Sequence, residues 1–214
     1  MLVQYPLLYP ILDASFLPVQ DRHVYLTRLV SGLVDAGVRL LQYRNKQGGE
    51  DEILADAAAM RLAASSSFKL IMNDSPELAV RAEFDGVHIG QQDATPAEAR
   101  AIVGPDRIVG VSTHSRAQLE DAARQPVDYI AIGPVFATAT KENPDPVVGL
   151  DGVREARALT NKPLVAIGGI TLENASAVLD AGADSVAVIS ALFGQGRNSA
   201  EIARDFLRIS SRRS

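Results

Sequence analysis

The sequence predicts a single-domain (β/α)8 TIM barrel, an α/β fold, on three observations. Short apolar, β-branched runs alternate with longer Ala-rich, charged stretches of helical period, the order expected of a parallel sheet with crossover helices. Eight such runs occur in 214 residues, about 27 residues per unit, which suits a barrel without insertions. Polar residues gather where successive runs end, and nothing comparable gathers where they begin. An open doubly wound sheet is the alternative that alternation alone leaves standing.

The strands predicted in order are Leu8 to Leu12, Val38 to Gln42, Lys69 to Met72, Gly86 to Ile89, Ile108 to Val111, Tyr129 to Ile132, Leu164 to Ile167 and Ser185 to Ile189. Helices are expected over Arg22 to Ala36, Glu50 to Ala64, Thr95 to Val103, Arg116 to Arg124, Leu150 to Leu159, Leu172 to Ala181 and Ala200 to Ile209. Thr95, Pro96 and Glu98 combine an N-cap, a first-turn proline and a capping-box partner, and Thr171 precedes Leu172 and Glu173 in similar fashion. Gly37 and Gly182 follow helices where a left-handed residue closes the last turn.

Composition narrows the function. A net charge of −5 argues against a nucleic-acid partner, which a basic face would serve, so any bound phosphate belongs to a small molecule. The absence of Cys excludes disulfides, thiolate metal sites and a Cys nucleophile. No apolar run approaches the roughly 20 residues that span a bilayer, and Pro6 and Pro10 interrupt an N-terminus without a basic region. These features predict a cytoplasmic protein with no membrane partner, and they are compatible with a homo-oligomer. The residues from about 210 read as a polar tail.

The strand ends carry the chemistry. In extended backbone Gln42, Arg44 and Lys46 project together toward the mouth, with Tyr43 and Asn45 toward the helices. A planar guanidinium and a mobile ammonium suit a di- or triphosphate, against the alternative of a solvated loop. Asp74, after Asn73, and Asp93 place carboxylates on neighbouring strand ends, an oxygen donor set for Mg2+ completed by water and phosphate; the alternative is that each caps the following helix. His88, inside a strand, reads as a buried hydrogen-bonding group rather than a ligand, and His114 as either a general acid/base or a helix-start residue. Residues 133–146 read as a lid with Thr138, Thr140 and Lys141 offered to phosphate. Gly168-Gly169 and Ile189-Ser190 end the last two strands, where backbone N–H groups and a short helix bind phosphate in such barrels.

From about Leu8 to Phe206 these motifs together resemble the thiamine phosphate synthase family: QYRNK at 42–46, ND at 73–74, GVHIGQQD at 86–93, GVSTH at 110–114, GPVFATATK at 133–141, AIGGI at 166–170 and VIS at 188–190. The resemblance implies a transferase that joins a hydroxymethylpyrimidine diphosphate to a thiazole phosphate, releasing pyrophosphate with Mg2+. It implies that Gln42, Tyr43, Arg44, Asn45, Lys46, Asn73, Ser112 and Lys141 hold the pyrimidine diphosphate, with Arg44, Lys46, Ser112 and Lys141 catalytic. It assigns Asp74 and Asp93 to Mg2+, and Thr138, Ala139, Thr140, Gly169, Ile189 and Ser190 to the thiazole phosphate. Leu12-Asp13 and Ala137 depart mildly from the family pattern, the first pair touching none of the implied ligands. A thiazole tautomerase of the same superfamily, a Schiff-base lyase using Lys46 or Lys141, and a non-catalytic thiazole phosphate sensor are the rival functions. The tautomerase has no diphosphate to ionise, so the joint presence of Asp74, Asp93 and the cations favours the synthase.

Overall fold

Strands that are apolar on both faces need cover on both, and a closed parallel barrel wrapped in helices provides it. The computed structural model describes residues 5–138, 145–194 and 198–210. Its strands are β1 (Leu8–Asp13), β2 (Leu40–Arg44), β3 (Lys69–Asn73), β4 (Gly86–Ile89), β5 (Ile108–Thr113), β6 (Tyr129–Ile132), β7 (Leu164–Ile167) and β8 (Ser185–Val188). They pair in parallel in chain order, and the register from Leu8↔Val186 to Pro10↔Val188 joins β1 to β8, which excludes the open sheet. Outside lie α1 (Arg22–Asp35), α2 (Glu50–Ala63), α3 (Pro76–Arg81), α4 (Pro96–Val103), α5 (Arg116–Arg124), α6 (Gly149–Leu159), α7 (Ala175–Asp180), α8 (Ser190–Phe193) and α9 (Ser199–Ser210). No helix among the described residues is long and apolar enough to cross a membrane.

Alternation along the strands divides the core. Tyr9, Ile11, Leu40, Ile71, Tyr129, Val165 and Ala187 cluster inside the barrel, while Leu8, Leu12, Leu41, Leu70 and Val87 pack beneath the helices.

Two boundaries differ from expectation for local reasons. Gly37 (φ 93°) and Val38 donate back to Val34 and Leu33, a Schellman closure of α1, so Val38 is used to end the helix and β2 starts at Leu40. The helix expected from Leu172 starts at Ala175, because Asn174 accepts from the Thr171 N–H (2.8 Å) and donates to the Gly169 carbonyl (3.0 Å), holding the residues between in a turn.

The strand starts, expected to be bare, carry a polar device used repeatedly. Asp85, just before β4, accepts from the Leu70 N–H (2.9 Å) and pairs with Arg61 of α2. Asp128, before β6, accepts from Val109 N–H (2.7 Å) and pairs with Arg100 of α4. Asp184, before β8, accepts from Leu164 N–H (2.8 Å) and pairs with Arg157 of α6. Each carboxylate therefore ties its own strand to an amide in the first two residues of the preceding strand and to the helix before that. Because an aspartate and an arginine in separate segments look like ordinary surface charges, the device is invisible until the barrel closes.

Burial alone would raise the Asp85 carboxyl, but the Leu70 N–H and Lys69 hold it below its ordinary value. A depressed native pKa adds stability that is present above the ordinary Asp range and lost as pH falls through the native value. Asp85→Ala is expected to lower neutral-pH stability by about 1–3 kcal/mol in denaturant unfolding, with the gap to wild type closing in acid.

Candidate active site

The mouth is built from side chains that leave the strand ends in alternation. Gln42 is buried and donates to Asn73 Oδ1 (2.6 Å), locking the ends of β2 and β3 together. Arg44, next on the same face, pairs with Asp13 at the end of β1, and Lys46 pairs with Asp74 just beyond β3. The pair at Leu12-Asp13, expected to touch no implied ligand, thus does touch one: Asp13 holds the Arg44 guanidinium in place.

The side chains of Tyr43 and Asn45 lie on the helix side, as strand alternation predicts. Tyr43 is fully buried on the helix side, its hydroxyl donating to Asp56 of α2, which also takes two guanidinium nitrogens of Arg22. Asn45 donates to the Tyr43 hydroxyl (3.1 Å) and Glu52 (3.0 Å) and accepts from the Gly48 N–H (2.8 Å). Strand alternation sends both side chains away from the mouth, leaving their backbone as what either offers there.

Neither carboxylate of the expected metal pair is a helix cap. Ser75 Oγ caps α3 by accepting from Leu78 N–H (3.1 Å), and Thr95 with Glu98 forms the capping box of α4. Asp74 has a left-handed backbone (φ 67°), and its N–H donates to the His88 carbonyl (2.8 Å), fixing it beside β4. Asp93 accepts from the Gly90 N–H (2.7 Å); burial and then the charge of Asp74 raise its carboxyl above the ordinary value, against the pull of that N–H and of Lys46. An Asp93 carboxylate whose ionisation is opposed by the neighbouring charge of Asp74 fits a divalent cation, whose charge would reverse the balance. No group of three or more potential His, Cys, Asp or Glu ligands occurs among the described residues, so any Mg2+ here would draw its remaining ligands from water and phosphate, as that ion commonly does.

Ser112, near the end of β5, meets His88 Nε2 through Oγ (2.8 Å), and its carbonyl accepts from Gln91 (2.6 Å). His88 also meets the Tyr129 hydroxyl through Nδ1 (2.7 Å), and burial pushes its pKa down to about 4. It is the buried hydrogen-bonding histidine that its strand position predicts. His114 lies between β5 and the Ser115 cap of α5, with Nδ1 2.6 Å from the Gly133 carbonyl and Nε2 3.5 Å from Asp145, so it spans the two described ends of the expected lid.

Of that lid, Thr138 is described, whereas Ala139, Thr140 and Lys141 lie outside the described residues. Val135 N–H donates to the Ile167 carbonyl (2.8 Å) and Phe136 N–H to that of Gly168 (3.0 Å), so the lid begins by running along the end of β7. A Cβ on Gly169 (φ 62°) would sit 2.5 Å from the Ala137 carbonyl, so the residue is glycine for close approach as well as for its backbone angle. Ile189 and Ser190 follow β8 directly and open α8. The mouth therefore gathers Gln42, Arg44, Lys46, Asn73, Asp74, Asp93 and Ser112 at the ends of β2 to β5, and Gly169, Ile189 and Ser190 beyond β7 and β8.

A family model described as thiamine monophosphate synthase matches residues 8–192, which spans every one of these strand ends. The chain belongs to the thiamine monophosphate synthase family. A thiamine-phosphate synthase of Koribacter versatilis is 52% identical over 204 residues, covering 95% of each chain, and one of Agrobacterium fabrum is 42% identical over 176 residues, covering 79% of this chain and 80% of its own. The solved thiamine phosphate pyrophosphorylase of Pyrococcus furiosus superposes with a TM-score of 0.80 at 28% identity, over 96% of both chains. A thiamine monophosphate synthase family member of this coverage is an enzyme, a transferase, and its barrel has the fold of its solved relative.

Proposed function

We propose that the enzyme condenses 4-amino-2-methyl-5-hydroxymethylpyrimidine diphosphate with 4-methyl-5-(2-phosphoethyl)thiazole, giving thiamine phosphate and pyrophosphate. The observation that carries this reading is the pairing at one mouth of two cations, Arg44 and Lys46, with two carboxylates, Asp74 and Asp93, which a monophosphate isomerase has no use for. Mg2+ held by Asp74 and Asp93 would supply Lewis-acid charge to the diphosphate. Arg44 and Lys46 bind and orient the diphosphate oxygens, exchanging their contacts with Asp13 and Asp74 for contacts with substrate. As the methylene–oxygen bond breaks, the bonding pair leaves with pyrophosphate, and the electron-rich pyrimidine delocalises the cation left on the methylene. Ser112 and Gln42 contact the pyrimidine diphosphate, and the thiazole nitrogen donates its lone pair to the methylene carbon. Gly169, Ile189 and Ser190, with Thr138, Ala139 and Thr140, anchor the thiazole phosphate, and Lys141 joins Arg44 and Lys46 on the diphosphate. The protein then acts by positioning and charge stabilisation, without a covalent protein intermediate.

Incubating the purified protein with both substrates and Mg2+ is expected to yield thiamine phosphate and pyrophosphate in equal amounts, and chelation with EDTA to stop the reaction. Isomerised thiazole phosphate without coupled product would identify the tautomerase instead. Tight thiazole phosphate binding with no turnover would identify a sensor.

A further inference from the structure

A buried line of hydroxyl and imidazole groups runs from the mouth down through the barrel. Ser112 Oγ lies 2.8 Å from His88 Nε2, His88 Nδ1 2.7 Å from the Tyr129 hydroxyl, and that hydroxyl 2.6 Å from the hydroxyl of Tyr9. Tyr9 and Tyr129 are 1% and 0% exposed, and the His88 ring stacks on Tyr129 with centroids 5.5 Å apart. The lower end of the line is enclosed by Ile11, Leu40, Ile71, Val165 and Ala187.

Proton counting decides which way the line points. Each hydroxyl carries one proton, as does neutral imidazole, so the bonds run either wholly toward the mouth or wholly away from it. If Ser112 donated to Nε2, Nδ1–H would donate to Tyr129 and Tyr129 to Tyr9, leaving the Tyr9 proton without an acceptor among the described residues. Tyr5, whose ring lies 5.1 Å from that of Tyr129, does not supply one, since its own buried hydroxyl makes no hydrogen bond there. With the opposite polarity Tyr9 donates to Tyr129, Tyr129 to Nδ1, and Nε2–H to Ser112 Oγ, so the Tyr9, Tyr129 and His88 protons are all used. An unsatisfied buried hydroxyl costs about 1–3 kcal/mol, which selects the second polarity. Both ring nitrogens of His88 meet hydroxyls, so the line carries direction without charge.

We propose that Tyr129, backed by Tyr9 and acting through the tautomer of His88, is a positioning residue that turns the Ser112 hydroxyl into a hydrogen-bond donor aimed at an anionic oxygen of the departing diphosphate. This rests on the reading of Ser112 as a contact to the pyrimidine diphosphate. With its oxygen already accepting from Nε2–H, Ser112 has its proton free for the mouth, where negative charge grows as the methylene–oxygen bond breaks.

The test combines nitrogen NMR of 15N-histidine-labelled protein with steady-state kinetics, His23 and His114 being assigned by substitution to Gln. Wild-type His88 is expected as the Nε2–H tautomer, and Tyr129→Phe, which removes the donor to Nδ1, is expected to give a tautomer mixture. In that variant kcat should fall about tenfold, the worth of one hydrogen bond in the transition state, with KM for the pyrimidine diphosphate within about twofold of wild type. Placing Tyr129→Phe in a Ser112→Ala background should cost nothing more. An Nδ1–H tautomer in the wild type overturns the proposal, as does full additivity of the two substitutions. If Tyr129→Phe fails to fold, Tyr9→Phe and the wild-type tautomer still decide the polarity. A wild type that makes no thiamine phosphate sinks the proposed reaction, whereas the tautomer readout continues to judge the hydrogen-bonded line independently.

Discussion

Asp93→Ala is expected to slow pyrophosphate release by about 10²–10³-fold while leaving the ligand-free fold at least as stable as wild type. The two effects have opposite sign for one reason. Burial and the neighbouring charge of Asp74 raise the Asp93 carboxyl above its ordinary value, so in the absence of a cation its ionised form is a cost to the native state. A raised native pKa means that the native state binds its proton more tightly than the unfolded chain, so stability falls as pH climbs from the ordinary Asp range through the native value. Removing the carboxylate abolishes that part of the pH dependence. It also removes half of the donor pair that fits Mg2+. Thermal unfolding should therefore show a Mg2+-dependent rise in Tm for wild type, by mass action, and none for Asp93→Ala. Unchanged Mg2+-dependent turnover in the variant would refute the metal assignment for this residue.

The second large effect is expected on folding. Gly110→Ala should lower stability by at least about 3 kcal/mol, about 6–12 °C in Tm for a chain of this size. A Cβ at this position would fall 1.9 Å from Tyr129 Cζ and 2.4 Å from its hydroxyl oxygen, so the ring has to move. It has little room to do so: it is fully buried and hydrogen-bonded to Tyr9 and His88, and the Tyr5 ring packs against it. A β-strand glycine commonly marks the close approach of another group, and here β5 gives up a side chain so that a tyrosine from β6 can lie across it. Wild-type stability in Gly110→Ala, measured by denaturant unfolding, would mean that the barrel interior repacks far more readily than this geometry allows.

Much of the architecture was legible in the residues because its signals are local. An apolar run of β-branched residues names a strand, Thr95 with Pro96 and Glu98 names a helix start, and Gly37 and Gly182 name helix ends, each within a few positions along the chain. The short α3 was less legible, since six residues carry less than two turns of periodicity. At the site, alternation correctly separates Gln42, Arg44 and Lys46 from Tyr43 and Asn45, because strand geometry is equally local. The family resemblance carries substrate roles by motif rather than by side-chain direction, so it names the whole run Gln42 to Lys46, within which the fold turns the Tyr43 and Asn45 side chains to α2.

By itself the sequence determined the alternating order of strands and helices, the concentration of charge at the strand ends that form the mouth, and, through its motifs, the family. Only the tertiary structure decided the partners: Asp13 for Arg44, 31 positions apart; Asp56 for Arg22, 34 apart; and Tyr9 for Tyr129, 120 apart. The same holds for the aspartates at the strand starts. The physical reason is that a cap or a strand is stabilised by its immediate neighbours, whereas a contact across the barrel depends on closure and on the register of every strand between. That register is set by the packing of all eight strands and their helices together, and no single segment of the chain encodes it.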